Sequence, residues 1–328
     1  MAYDLYQGQT LPSRRDVERA LRKMAQEEGA MLPQLTLNGL QVIGRGVHRV
    51  AYLVDFKVKP DPIRISGADR VLLYPYAEEA SELKERLYRE ATALELLSQI
   101  KTPFRIPKPV GGVEVDDAVI LLERFVEGNP IDLRAGRCLA GKPWEVAGEI
   151  AAAVHMTDLE IAEQVGGFPT RREHALEAIK ALDGHDQAWF KVAKEWCLKH
   201  LPPEDEPSAL LHGDLSGQNI LIDLKGGKAP ALIDWTFTLW GDPAHEMAII
   251  TQGKRRPFEV DHGLHKLLEA YEDAGGRHIK PEEVYLHELC LFGRRYRAAK
   301  ERGKARAEHP QEPLRALHGL LTRLGCRL

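Results

Sequence analysis

Three polar side chains that could act together are separated by apolar segments in the second half of the chain. Asp214 is followed by Asn219 five positions later, and Asp234 ends a later apolar run. Residues 219–224 and 230–233 have the pattern of two short strands, and the Gly-Gly between them supplies the positive φ that a tight hairpin needs. We expect the hairpin to bring all three side chains to one end.

These residue types suit phosphoryl transfer. A carboxylate can accept the proton of an attacking hydroxyl, and an amide oxygen with a second carboxylate can hold Mg²⁺ against nucleotide phosphates. The sequence therefore predicts Asp214 as the catalytic base and Asn219 and Asp234 as ligands of Mg²⁺. The phosphate donor is then ATP or GTP, and the acceptor carries a hydroxyl group.

The same stretch resembles the aminoglycoside phosphotransferase and choline kinase-like family. Asp214 and Asn219 have the spacing of the kinase catalytic loop, in which four residues separate an Asp from an Asn. The neighbouring motifs that match are His212-Gly213-Asp214, Ile233-Asp234-Trp235, and Gly241-Asp242-Pro243 followed by Glu246-Met247-Ala248. The resemblance implies an α+β, two-lobed protein-kinase-like fold, with a small antiparallel β-sheet N-lobe and a mainly helical C-lobe.

Composition is that of a globular protein with a sizeable core. The 328 residues are 44% hydrophobic and 29% charged, and no run approaches the roughly 20 apolar residues of a membrane helix. The first residues show no signal-peptide pattern, and the four cysteines are scattered, so we expect a cytoplasmic protein with reduced thiols. A net charge of −4 argues against a general nucleic-acid binder and leaves the oligomeric state open.

The periodicity before the predicted N-lobe indicates a short amphipathic helix. Val17, Leu21 and Met24 are spaced by four and three, which predicts a helix over 16–28 packed on the outside of the next domain. The predicted domains are an N-terminal helical extension over 1–35, a nucleotide-binding N-lobe over 36–125, and a catalytic and substrate-binding C-lobe over 126–328.

A glycine-containing turn lies between the first two segments with strand patterning. Glycine lets the backbone approach phosphates closely and point its N–H groups at them. We therefore expect Gly44, Arg45 and Gly46 to cover the phosphates of the donor, with positive charge added by His48 and Arg49. The alternative for each of these side chains is a solvated position in an ordinary turn.

Glu90 lies on the inward stripe of a predicted helix over 81–100. A buried carboxylate needs a partner, and in kinases that partner is a strand lysine that also holds the α- and β-phosphates. We expect Glu90 to belong to the nucleotide site, but the lysine position in the third predicted strand is occupied by Leu73. The candidates to replace the lysine are Arg70, Arg64 and Lys59, unless the strand register differs.

The segment after the strand over 118–122 resembles the hinge between kinase lobes. Backbone N–H and C=O groups pair with the base there, which predicts Glu123, Phe125 and Val126 as base-seating residues. The alternative is an ordinary exit from a strand into a loop.

Three further residues are expected to support the site rather than to react. The resemblance implies that His212 braces the catalytic loop through hydrogen bonds to backbone. Asp242, directly before Pro243, suits the N-cap of a helix, and Glu246 on that helix is expected to brace the site.

The predicted activity is that of a small-molecule O-phosphotransferase. An aminoglycoside or another antibiotic is the favoured acceptor, and a metabolite alcohol such as choline, homoserine or a sugar is the alternative. Acids between 259 and 288 suit a polycationic acceptor, whereas the basic run over 294–306 suits an anionic acceptor or nucleic acid, and both runs are typical of solvated helix faces. The missing strand lysine motivates a second hypothesis, a kinase-like binding module with little catalysis.

Overall fold

The structure is a computed structural model that describes residues 10–46, 48–61, 64–76, 80–133, 141–223, 225, 227–301 and 309–327. The chain divides into two compact units, one formed by residues 1–101 and 106–127 and the other by residues 102–105 and 128–328. The division into three domains proposed from the sequence stays a prediction. Among the helices of the described residues, none is long and apolar enough to cross a membrane.

The first unit is built on a five-stranded antiparallel sheet with strand order β1-β2-β3-β5-β4. This confirms the predicted small antiparallel sheet. Its elements in chain order are α1 (Arg14–Glu27), β1 (Gln34–Arg45), β2 (Arg49–Lys59), β3 (Gly67–Pro75), α2 (Ala80–Ser98), β4 (Pro109–Val115) and β5 (Ala118–Arg124).

Helix α1 covers one face of this sheet. It begins with a capping box, in which the Ser13 side chain accepts the N–H of Asp16 and the Asp16 carboxylate accepts the N–H of Ser13. Its inward residue Leu21 is fully buried in one cluster with Tyr52 of β2 and Leu122 of β5. The predicted amphipathic helix is confirmed, and its apolar stripe packs on the outer face of the sheet as part of the core of the first unit.

Helix α2 covers the opposite face. Leu83 and Leu87 of α2 pack against Leu73 of β3 and Leu121 of β5, with Ala51 of β2 at the margin. Alternate residues of a strand point to opposite faces, so each of these strands contributes to both layers. This arrangement explains why β5 reads as a nearly continuous apolar run.

The second unit is mainly helical, as predicted, with short strands around the 210–241 segment. Its strands are β6 (Asn129–Pro130), β7 (Ala209–Leu211), β8 (Ile220–Ile222), β9 (Ala231–Leu232) and β10 (Leu239–Gly241). Its helices are α3 (Pro143–His155), α4 (Leu159–Val165), α5 (Arg171–Ile179), α6 (Ala188–Lys199), α7 (Pro243–Thr251), α8 (Gly263–Asp273), α9 (Pro281–Glu301) and α10 (Gln311–Arg323).

The sheets of this unit are small. Strand β7 pairs with β10, and β8 pairs with both β6 and β9, all antiparallel. The β8–β9 pair confirms the predicted hairpin. Parts of three predicted segments lie outside the described residues: Val47 in the glycine-containing turn, Leu224 and Gly226 in the hairpin, and Arg302, Lys304 and Arg306 in the basic run.

A buried carboxylic acid lies between α7 and α9. Glu288 is almost completely buried, and one of its oxygens accepts a hydrogen bond from the Thr251 hydroxyl at 2.6 Å. The other oxygen has no hydrogen-bond partner among the described residues. Burial raises the pKa of Glu288 to about 7, because the charged form loses its hydration.

This pKa predicts a pH-dependent contribution to stability. In the unfolded chain Glu288 has an ordinary carboxyl pKa, so the folded state binds the extra proton between about pH 4.5 and 7. The stabilising contribution of Glu288 to the free energy of unfolding is therefore fully present below pH 4.5. It falls by on the order of 3 kcal/mol as the pH rises to about 7. Glu288→Gln keeps the acceptor for Thr251 and removes the titration.

We expect the difference in Tm between Glu288→Gln and the wild type to increase in favour of the variant from pH 5 to pH 8. Glu195→Gln, an exposed change on α6, is the matched control and should show no such trend. A difference that stays constant over this pH range would contradict the assignment.

Candidate active site

The β8–β9 hairpin places two of the three predicted residues at the same end. Asn219 directly precedes β8, and a single residue, Ile233, separates the end of β9 from Asp234. Ile220 pairs with Leu232, and the N–H of Ile233 donates to the Asn219 carbonyl at 3.0 Å. The side chains of Asn219 and Asp234 are therefore brought together by the backbone of the hairpin.

Asp214 is joined to this end through the side chain of Asn219. The Asn219 amide nitrogen donates to the Asp214 carbonyl at 2.8 Å and to Asp214 Oδ2 at 2.9 Å. Because the nitrogen makes both bonds, the network assigns the amide oxygen to the other side, where a cation could bind it.

The surroundings of Asp214 favour its protonated form. Its pKa is raised to about 7, first by loss of hydration and then by the negative charge of Asp234, while the hydrogen bond from Asn219 opposes the shift. A carboxylate with a pKa near neutrality can exchange protons in both directions at neutral pH.

Asp234 adopts a strained backbone conformation. Its φ is +64°, in the left-handed region that residues other than glycine seldom occupy. Thr236 donates its hydroxyl to Asp234 Oδ1 at 2.7 Å, and the fully buried Trp235 donates its indole N–H to the Leu232 carbonyl at 3.1 Å. These contacts on both sides hold the carboxylate in place despite the strain.

The loop that carries Asp214 is fixed by one carboxylate from α7. Glu246 is fully buried, and it accepts the backbone N–H groups of His212 at 2.7 Å, Gly213 at 3.1 Å and Leu215 at 3.1 Å. The structure confirms the expected bracing role of Glu246 and shows that it acts through backbone.

His212 holds the same loop against the β9 exit. Its ring Nε2 donates to the Ile233 carbonyl at 3.1 Å, and its Nδ1 accepts the N–H of Asp214 at 3.4 Å. Complete burial lowers the pKa of His212, which favours the neutral ring that these two bonds require. The expected hydrogen bonding of His212 to backbone is confirmed.

Gly213 must be a glycine at this position. Its φ is +80°, and a Cβ added there would lie 1.9 Å from the Phe237 carbonyl oxygen. The Asp214 loop therefore passes so close to the 237 backbone that a side chain cannot fit between them.

Asp242 connects the start of α7 to two other helices. It caps α7 by accepting the N–H of Ala244, as predicted, and its carboxylate also contacts Arg171 at 2.7 Å and His287 at 3.0 Å. Burial acts to raise the pKa of Asp242, but His287 and Arg171 hold it well below its usual range. Arg171 was missed from the sequence, where an arginine at the start of a helix reads as exposed.

The predicted phosphate-covering turn is a tight hairpin in the first unit. Gly44 lies opposite Ala51 in the β1–β2 ladder, next to a bulge, and Arg45 is the last residue of β1. Gly46 donates its N–H to the Arg49 carbonyl at 2.8 Å, so this N–H is used by the hairpin instead of facing outward. A role of Gly44, Arg45 and Gly46 in phosphate binding stays a prediction.

The partner of Glu90 is Arg49, a residue of β2. The two guanidinium Nη atoms of Arg49 donate to the two carboxylate oxygens of Glu90 at 2.5 and 2.8 Å. None of the three residues suggested as replacements for the lysine makes this contact, so that expectation was wrong.

Arg70, the first of those replacements, has another role. It lies on the same strand face as Leu72, which belongs to the α1 cluster, and therefore points away from Glu90. Its guanidinium donates to the carbonyls of Ile65 and Ser66. The other two candidates, Arg64 and Lys59, are exposed.

The predicted base-seating residues end the β5 strand. Glu123 lies opposite Val71 in the ladder, and Phe125 donates its N–H to the Asp69 carbonyl at 2.8 Å, so these backbone groups serve the sheet. Among the described residues, nothing hydrogen-bonds to the backbone N–H of Val126. Seating of the base by Glu123, Phe125 and Val126 stays a prediction.

The donor set of the second unit suits a hard cation. An amide oxygen and a carboxylate are the oxygen ligands that Mg²⁺ prefers, and part of its coordination normally comes from phosphates. Within the described ranges, no group of three or more His, Cys, Asp or Glu side chains forms a metal cluster. The side chains of Asn219 and Asp234 fit a shared site of this kind.

The fold and this loop define a kinase-type phosphotransferase. A family model described as APH, phosphotransferase enzyme family, matches residues 64–287. The chain belongs to this phosphotransferase family, which confirms the family, the protein-kinase-like fold and the class of enzyme predicted from the sequence.

Individual relatives are distant. Viomycin phosphotransferase of Streptomyces vinaceus is 25% identical over 244 residues, which cover 67% of this chain and 75% of that protein. The GDP and kanamycin complex of APH(2")-IIia superposes with a TM-score of 0.60 at 16% identity, over 88% of this chain and 94% of that one. The AMP complex of LicA superposes with a TM-score of 0.62 at 14% identity, over 95% and 99%.

The role of Glu246 can be tested without any substrate. Glu246→Gln replaces one of the two acceptor oxygens by an N–H donor that faces N–H groups, so we expect a loss of about 3 kcal/mol or more in the free energy of unfolding. Hydrogen exchange should accelerate at the amides of His212, Gly213 and Leu215. Exposed Glu269→Gln on α8 is the control, and unchanged exchange at the three amides would contradict the role of Glu246.

Proposed function

We propose that this small-molecule phosphotransferase moves the γ-phosphate of a magnesium nucleotide to a hydroxyl of an antibiotic-like acceptor. The observation that carries the proposal is the contact of Asn219 with Asp214 at the end of the hairpin that also presents Asp234. The proposed base would then lie beside the two proposed oxygen ligands, which the hairpin carries. Membership of the phosphotransferase family supports the same reaction class.

Asp214 is proposed as the base. Its Oδ2 accepts the Asn219 amide, and no described residue donates to Oδ1, which leaves Oδ1 as the atom that takes the proton. The O–H bond of the acceptor breaks as that proton moves, and the acceptor oxygen forms a bond to the γ-phosphorus. The bond from this phosphorus to the β–γ bridging oxygen breaks, and the nucleoside diphosphate leaves.

Asn219 and Asp234 are proposed as the magnesium ligands. When bound, the cation neutralises charge on the phosphate oxygens of the donor. The strained backbone at Asp234 and the hydrogen bonds around it fix the carboxylate before the donor arrives, which reduces the ordering that binding requires.

The donor is proposed to be ATP or GTP, held by residues of the first unit. Gly44, Arg45 and Gly46 would lie along its phosphates, Glu90 would act through its cationic partner, and the 123–126 segment would seat its base. The GDP and AMP found in structures with this fold support a purine nucleotide but leave the choice of base open.

An antibiotic acceptor is supported by what the relatives act on or bind. The name of viomycin phosphotransferase, which matches this chain over 244 residues, gives an antibiotic as its acceptor. Kanamycin is bound to APH(2")-IIia. A metabolite alcohol is the alternative. A polyanionic partner is disfavoured, because Arg297 and Lys300 of the basic run contact the carbonyl of Asp183 and the carboxylate of Asp186 of the same chain.

The base can be tested by a single substitution. Asp214→Asn keeps the size and the contact with Asn219 but cannot accept a proton, so we expect turnover to fall by about 10²- to 10⁴-fold while nucleotide affinity changes little. Steady-state kinetics and calorimetry measure the two quantities, and exposed Asp205→Asn is the control. Turnover close to that of the wild type would contradict the assignment.

Donor and acceptor can be identified in one thermal-shift series. A nucleotide at ~100 times its Kd should stabilise the protein by ~2.7 kcal/mol, and this shift should require Mg²⁺ and disappear in Asp234→Ala. ATP and GTP are tested alone and then with aminoglycosides, viomycin, choline, homoserine and sugars. A shift that is the same with and without Mg²⁺ would contradict the proposed ligands.

A further inference from the structure

A buried ion pair in the first unit joins the nucleotide-covering hairpin to α2. Only 7% of the Arg49 side chain and 1% of the Glu90 side chain are exposed, and the two make the bidentate contact described above. Bidentate arginine–carboxylate pairs are among the strongest polar contacts in proteins. A pair this well shielded fixes the orientation of the guanidinium plane.

The pleat of β2 determines where this guanidinium lies. Val50 and Tyr52 point to the α1 side, so Arg49 and Ala51 point to the α2 side. Ala51 is paired with Leu73, the position at which the family resemblance implies a lysine. Arg49 therefore projects from the same face as Leu73, one strand over and two residues nearer to the hairpin turn.

We propose that Arg49 is the cation that holds the donor phosphates. It provides this charge from the second strand, in place of the lysine that the family resemblance implies in the third strand. This assignment rests on the proposed nucleotide-dependent function. Glu90 keeps the partner that a buried carboxylate requires, and the position of Leu73 is released to pack against Leu83 and Leu87 of α2.

The chemistry of arginine suits this double task. A guanidinium stays charged at all relevant pH values and has five N–H donors in a planar fork, so it can bind a carboxylate and a phosphate oxygen together. The carbonyl of Arg49 accepts the N–H of Gly46, which fixes its backbone at the base of the hairpin turn. The phosphate contact and the covering turn are then positioned by the same residue.

A structural ion pair without a ligand role makes a different prediction, and matched variants separate the two. Arg49→Gln alone leaves Glu90 charged and buried, which endangers folding. The double change Arg49→Gln with Glu90→Gln removes both charges and keeps a hydrogen-bonded pair. Arg49→Ala with Leu73→Lys returns the cation to the third strand. Arg89→Gln, one position from Glu90 and half-exposed, is the control for loss of a positive charge.

The measurement is calorimetric affinity for ADP and for adenosine in the presence of Mg²⁺, or for GDP and guanosine if the wild type prefers guanine. The double Gln variant should keep its nucleoside affinity and lose about tenfold or more in diphosphate affinity. Arg49→Ala with Leu73→Lys should recover most of that loss, and Arg89→Gln should match the wild type.

Three results would overturn the assignment of Arg49. They are unchanged diphosphate affinity in the double Gln variant, an equal loss for nucleoside and diphosphate, and no recovery with Leu73→Lys in a folded protein. A wild type that binds neither diphosphate would instead overturn the proposed function itself, so the two failures are distinguishable.

Discussion

The geometry of the candidate site depends on a single buried carboxylate. Glu246 accepts three backbone N–H groups from the loop that carries Asp214, so one buried side chain satisfies three donors that would otherwise be left unpaired. The carboxylate lies on α7, whose start is fixed by the contacts of Asp242 with Arg171 and His287. The Asp214 loop is thus attached to the helical core through hydrogen bonds to its backbone, which leaves the Asp214 side chain free of this bracing role.

This arrangement separates support from reaction. Glu246 and His212 are completely buried and are engaged with backbone, so neither has the access to a substrate that a reacting group needs. Asp214 and Asp234 keep part of their surface exposed, and their mutual repulsion contributes to the raised pKa of Asp214. Two acids held at one hairpin end by a neutral histidine and an ionised glutamate form a site that is ordered before any ligand arrives.

The sequence predicted the parts of the fold that have local signals. Helices with a clear apolar stripe and the hairpin before Asp234 could be read from periodicity and glycine placement. Helix α4 and the two- and three-residue strands β6, β7 and β10 could not, since such short segments repeat the helical or strand period too few times to show a pattern. The ion-pair partners of Arg49 and Arg171 were missed for another reason, namely that Glu90 and Asp242 are 41 and 71 residues away. Pairing the β2 and β3 registers would have placed Arg49 opposite Pro75, on the same sheet face as Leu73 and two residues nearer to the hairpin turn.

Strand β2 is divided by its pleat into two sides under different constraints. One side belongs to the layer beneath α1 and carries Val50, Tyr52 and Val54. The other side faces α2 and carries Ala51 and Arg49, which pairs there with Glu90. Evolutionary change at the first set is limited by volume, because it must preserve a packed core. Change at the second set is limited by charge and reach. Under the proposed role of Arg49, a lineage could therefore alter donor binding through alternate residues of one strand, with the packing beneath α1 left as it is.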